Sequence, residues 1–106
     1  MKNKPLILVE GIFDFIRIDS YIRIHYNNIN VTTGMVKMIS RNQIKRLIHL
    51  NPSRLITMFD GDSWFDYRRI KNEIPFDVDH VILPKDKDPN MLSWEEMKHI
   101  LNPVIQ

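Results

Sequence analysis

The chain has 106 residues, enough to close one hydrophobic core and too few for a core with a second independent module. Its 43% apolar and 26% charged residues exclude a disordered or fibrous chain, and a formal charge of +2 means that nucleic-acid contacts must come from local basic faces. Cysteine is absent, which excludes disulfide frameworks and Cys-rich zinc sites and leads us to expect a cytoplasmic setting; the apolar run after the basic start is too short for a signal peptide or membrane span.

Leu6-Ile7-Leu8-Val9 is a short, uninterrupted apolar run ending at Glu10-Gly11, the pattern of a strand buried on both faces that enters a turn. Residues 12–26 carry both an alternating and a helical spacing. Phe15, Ile18 and Ile22 share a helical face, and the length exceeds that of an ordinary strand, so a helix is expected. Residues 29–33 predict a second strand, closed by Gly34, which permits a tight turn.

Ser40 and Gln43 then read as a capping box; Ile44, Leu47 and Ile48 share a face, and Asn51-Pro52 ends that helix. Residues 54–59 predict the third strand, broken by Asp60-Gly61-Asp62. The next helix starts near Ser63, carries Tyr67, Ile70 and Ile74 along one side, and stops before Pro75. Residues 80–83 predict the last strand. After a polar loop at 84–90, Ser93 and Glu96 repeat the capping-box pattern and open a helix burying Met97, Ile100 and Leu101 up to Asn102-Pro103.

Four short buried strands alternating with helices predict one α/β domain over residues 1–106, a compact Rossmann-like fold with a mostly parallel sheet and helices on both faces. No internal repeat, low-complexity segment or Gly/Ser linker suggests a second domain.

Acidic residues follow three of the predicted strands: Glu10 after the first, Asp60 and Asp62 after the third, Asp86 and Asp88 after the fourth. Parallel strands would set all of these along one sheet edge, beside the crevice where open α/β sheets bind ligands. Converging carboxylates repel one another unless a cation neutralises them, and oxygen-only ligands favour Mg²⁺ or Mn²⁺ over zinc. Each group alone has an ordinary reading. Asp-Gly-Asp is a common turn sequence, Asp62 or Ser63 can cap a helix, and Lys85-Asp86-Lys87-Asp88 is a typical solvated loop. Their coincidence at strand ends carries the functional expectation.

Glu10-Gly11-Ile12-Phe13-Asp14 resembles the Glu-Gly-x-x-Asp motif of the topoisomerase-primase (Toprim) domain, and Phe59-Asp60-Gly61-Asp62 resembles its Asp-x-Asp motif. Leu83-Pro84 with Lys87-Asp88-Pro89-Asn90, and Val31-Thr32-Thr33-Gly34 with Gln43-Ile44, are similar to segments of bacterial and phage DNA primases. The resemblance covers nearly the whole chain. It implies a catalytic role for Glu10, Asp60 and Asp62, with Glu10, Asp60, Asp62 and Asp88 as ligands of Mg²⁺ or Mn²⁺. Asp14, Gly11, Gly61 and Asn90 would support them. Lys85 and Lys87 would meet a triphosphate, and Arg68, Arg69, Arg41 and Lys45 would meet nucleic acid, although basic residues on helix faces are usually only solvated. Trp64 and Tyr67 are further candidates for stacking on a base, Tyr67 being the more core-facing by its spacing.

The chain departs from the family in Asn90, where primases often have a second aspartate, in Ser63-Trp64-Phe65 after Asp62, and in length. The resemblance therefore implies a split, phage-like DNA primase, a nucleotidyltransferase making RNA primers on a single-stranded DNA template from nucleoside triphosphates. A separate zinc-binding or template-binding subunit and a helicase would be its partners. A metal-dependent Toprim nuclease and a non-catalytic Toprim module binding nucleic acid or a replication partner are the alternatives. A receiver-like signalling domain would instead place paired acids after the first strand, where this chain has Glu10-Gly11.

Overall fold

A computed structural model describes residues 4–26, 28–33, 41–59, 64–81, 83 and 87–105, with the backbone alone described for residues 64–67. The chain runs through β1 (Leu6–Val9), α1 (Ile12–His25), β2 (Asn30–Thr33), α2 (Arg41–Leu50), β3 (Leu55–Met58), α3 (Trp64–Glu73) and β4 (Val78–His80). A 3-10 turn at Pro89–Met91 and α4 (Trp94–Ile105) follow. The strands form one all-parallel sheet of order β2-β1-β3-β4, so the expected α/β architecture is present.

β1 and β3 are buried at every position and lie side by side in the middle of the sheet. Ile7, Val9, Ile56 and Met58 join α1 and α4 in one core; Leu6, Leu8, Leu55 and Phe59 join α2 and α3 in the other. This division follows from connectivity. From β1 the chain moves outward to β2, then returns past β1 to β3 and continues to β4. Parallel crossovers of one hand put the helices of opposite directions on opposite faces, as the two cores display. Inside the sheet Thr57 is buried, its hydroxyl 2.8 Å from His80 Nδ1; burial pushes the His80 ring below its ordinary pKa.

The structure departs from expectation at two element boundaries and at one side chain. The last strand lies at Val78–His80 and not at 80–83. The apolar run Val81-Ile82-Leu83 drew the sequence reading, whereas pairing follows β3 through Leu55 with Val78 and Thr57 with His80. As an outer strand it buries Val78 while Asp79 faces solvent, and Val81 still donates its N–H to the Thr57 carbonyl at 2.9 Å. Second, Ile48 is exposed although Ile44 and Leu47 on the same helix are buried. α2 does end as expected: Asn51 takes a left-handed φ of 46° and donates to the Leu47 and Ile48 carbonyls, and Pro52 follows.

Third, α4 runs through Pro103 to Ile105. Proline removes a helical donor, but Ile100, Val104 and Ile105 pack on the core, and the Arg54 guanidinium donates to the Val104 carbonyl, so the final turn holds. At the other end the capping box forms as the sequence indicates. Glu96 N–H donates to Ser93 Oγ at 3.1 Å, Ser93 N–H donates to Glu96 Oε1 at 3.0 Å, and Lys87 Nζ lies 2.9 Å from both Glu96 carboxylate oxygens. The Ser40–Gln43 capping box involves a residue, Ser40, outside the described ones, as does the Tyr67 side chain. Among the described residues no helix is long and apolar enough to cross a membrane.

Truncating the central pair by Ile56→Ala is expected to lower the unfolding free energy by about 2–5 kcal/mol, and Ser93→Ala by about 1 kcal/mol, both measured by denaturant titration. The Lys87 ammonium, then the Ser93 N–H, hold the Glu96 carboxyl below its ordinary pKa. Its stabilisation is therefore complete above the ordinary carboxyl range and lost as pH falls through the lowered value. Glu96→Gln should be less stable than the parent at neutral pH, with the difference closing in acid.

Candidate functional site

The chain reverses its direction of travel across the sheet between β1 and β3, and the crevice beyond the carboxyl ends of these strands is the natural ligand site of such a sheet. Val9 and Met58 are the last paired residues there, both buried. Glu10 follows directly on one strand and Phe59, then Asp60, on the other. Hydrophobic burial fills the strands themselves, so polar chemistry is confined to the loops at their ends.

Glu10 is half-buried. Gly11 caps α1 without a side chain and in extended backbone, φ −119°, that any residue adopts. A Cβ there would stand 3.4 Å from Asp14 Oδ2, an ordinary contact, so the position favours glycine only mildly. Asp14 supplies what Gly11 lacks. Three residues into the helix, its carboxylate hydrogen-bonds back to the Gly11 backbone and also accepts the Asn90 N–H at 3.0 Å. The Glu-Gly-x-x-Asp spacing thus has a local physical cause, an acid at the third helical position satisfying the cap.

Asp14 is buried, and burial, the Asp88 charge and the Glu10 charge together push its carboxyl above the ordinary pKa; the Asn90 and Gly11 N–H groups oppose them. Glu10, Asp14 and Asp88 are therefore electrostatic neighbours although they lie far apart in sequence. Asp88 itself caps the 3-10 turn, its Oδ1 accepting the Met91 N–H at 3.2 Å. Asn90 contributes its backbone N–H to the contact with Asp14. Among the described residues no group of three His, Cys, Asp or Glu side chains is close enough to hold a metal ion together. Asp60, Gly61 and Asp62, on which the metal expectation chiefly rests, lie outside the described residues, as do Lys85 and Asp86.

The basic residues divide by layer. Arg41 and Lys45 are exposed on α2, and Arg68 is exposed on α3, where Arg69 lies 3.8 Å from Glu73. Both helices cover the face opposite α1, whereas Asp14 and the 3-10 turn lie on the α1 side. Lys87 is held by Glu96. A small cleft lined by Thr32, Thr33, Gln43 and Arg46 adds polar groups beside the end of β2.

Sequence reasoning missed Arg17. One turn after Asp14, its guanidinium donates twice to the Leu92 carbonyl, at 3.3 and 3.0 Å, and lies 5.4 Å from the Trp94 ring centre. The three-residue spacing of Asp14 and Arg17 on one helical face was the available signal. Together they hold the 88–94 segment against α1 through backbone atoms, which composition does not reveal.

Asp14→Asn keeps an acceptor for the Asn90 N–H while removing the buried charge. A raised carboxyl pKa means that the fold favours the protonated form, so the parent should lose stability relative to Asp14→Asn as pH rises from the ordinary carboxyl range through the raised value. Denaturant titrations of both proteins between about pH 4 and 8 measure this; parallel curves would contradict the assigned strain. Comparison with protein-family models, curated proteins and solved structures finds no match to the chain.

Proposed function

We propose that the chain is a Toprim-type catalytic domain that uses a divalent metal for nucleotidyl transfer, the catalytic part of a split, phage-like DNA primase. The observation that carries the reading is the parallel β1–β3 pair, which ends in register at Val9 and Met58 and leads on one side to Glu10 and on the other to Asp60-Gly61-Asp62. The Asp14 carboxyl, raised first by burial and then by the Asp88 and Glu10 charges, adds support, since a hard cation would relieve the repulsive part.

In this reading Glu10, Asp60, Asp62 and Asp88 supply oxygen ligands for Mg²⁺ or Mn²⁺, and Asp14 orients the 3-10 turn that carries Asp88. When bound, such an ion offsets phosphate charge and lowers the pKa of an attacking hydroxyl. Glu10, at the mouth of the crevice, either shares in that binding or accepts the hydroxyl proton. The protein's own work is to hold Glu10 directly after the buried strand β1 and Asp88 on a 3-10 turn tied to α1. Template-binding and helicase partners belong to the same proposal.

Two measurements test it. Calorimetric titration with Mg²⁺ and Mn²⁺ should detect binding that Asp60→Asn weakens by more than the roughly 10–100-fold typical of residues behind the ligands. Primer synthesis from ribonucleotides on single-stranded DNA, with the chain alone and with partner subunits, should disappear in Asp60→Asn while the thermal melt is retained. Product formation by that variant would overturn the assignment, and cleavage of labelled DNA or RNA without nucleotide incorporation would replace synthesis by hydrolysis.

A further inference from the structure

A cleft between α1 and α4 stands apart from the carboxylate edge. It holds about 410 Å³ and is lined by Tyr21, His25, Tyr26, Trp94, Glu95, Lys98 and Asn102. Its floor is an aromatic cluster. The Tyr21 ring lies 4.5 Å from His25, 5.1 Å from Trp94 and 6.1 Å from Tyr26, centre to centre, and His25 lies 5.7 Å from Trp94, all tilted. Tyr26 donates its hydroxyl to Asn102 Oδ1, which fixes α1 against α4 at the cleft's far end. The cluster is anchored below and open above: Tyr21 is 3% exposed, whereas Trp94 keeps 38% of its surface exposed.

The charge around this opening narrows the choice of occupant. Lys98, His25 and Glu95 line the cleft, and Arg17, outside the lining, lies against the Trp94 ring and donates to the Leu92 carbonyl. A cationic ligand would meet Lys98, and an apolar peptide would cover its ammonium. A nucleobase carrying phosphate satisfies both parts. Its π-face stacks on an exposed aromatic ring and its phosphate meets Lys98, the combination by which proteins hold single strands without reading sequence.

We propose that the α1–α4 cleft is a stacking subsite for one base of a single-stranded nucleic acid, with Trp94 as platform and Lys98 as the phosphate contact. Tyr21 lies seven residues beyond Asp14 on α1, about 10 Å along the helix axis, so a strand seated on Trp94 passes close to the carboxylate edge. That adjacency rests on the proposed function; binding in the cleft does not, because it needs no metal.

The test uses the full chain and fluorescein-labelled oligothymidylate, followed by anisotropy in EDTA at about 50 mM salt. The chain should bind, and the Trp94 indole N–H resonance should shift on titration. Trp94→Ala should weaken binding by about 5- to 150-fold, and Trp94→Phe, which keeps a stacking face, by about threefold or less. Lys98→Ala should reduce the slope of log affinity against log salt by about one, whereas Lys4→Ala, outside the cleft, should leave it unchanged. Should Trp94→Ala fail to fold, Trp94→Phe and Lys98→Ala still decide the matter. Undetectable binding, equal affinity in Trp94→Ala, an unmoved Trp94 resonance, or adenosine monophosphate binding as tightly as the oligonucleotide would each overturn the proposal. Because EDTA removes divalent ions, a negative Mg²⁺ titration leaves this result untouched, and the reverse also holds.

Discussion

The structure depends on the burial of β1 and β3 from both sides at once. Two adjacent strands made almost wholly of aliphatic residues cannot face water on either surface, so helices must cover both. With parallel pairing and crossovers of one hand, the cover is achieved when the chain leaves β1 in one direction and returns past it in the other. The reversal point falls at the pair that is most completely buried. Strand-end position is thus a by-product of hydrophobic packing: Glu10, next to Val9 in sequence, is carried to the end of β1 because its apolar neighbours have nowhere else to go.

Asp14 shows how one side chain can serve local and tertiary structure together. It completes the first turn of α1 and holds the backbone of the 3-10 turn, and Arg17 repeats the cross-link one turn later through the Leu92 carbonyl. The carboxylate is retained in a position where burial and two other acids oppose its ionisation. The Asn90 and Gly11 N–H groups, whose hydrogen bonds the ionised form accepts, work against that opposition.

Much of the fold was legible because its signals are local. Leu6–Val9 reads directly as a buried strand, and Ser93 with Glu96 reads directly as a helix start, since both depend on residues within a few positions of one another. The last strand was misplaced because an uninterrupted apolar run outweighed the alternation of an outer strand, whose location is decided by its partner β3 and not by its own composition. The end of α4 was misplaced for a similar reason: Val104 is held by Arg54, fifty residues away, and no local rule about proline anticipates it. For the site, Glu10 and Asp88 were legible as acids after strands and Asp14 only through the family resemblance, whereas the backbone role of Asn90 and the Arg17–Trp94 contact are tertiary facts.

The two outer strands of the sheet are unequal. β4 has three residues, its middle one a solvent-facing Asp79 that Arg54 approaches at 3.4 Å; β2 has four, beginning with exposed Asn30 and ending in two threonines. An unpaired ladder invites other chains to extend it, and a short run with an outward charge offers few hydrogen bonds and an electrostatic obstacle to a flat neighbour. Fibrillar stacking is therefore discouraged at the β4 margin by Asp79 and the strand's brevity, while Arg54, which approaches Asp79, ties this margin to the end of α4.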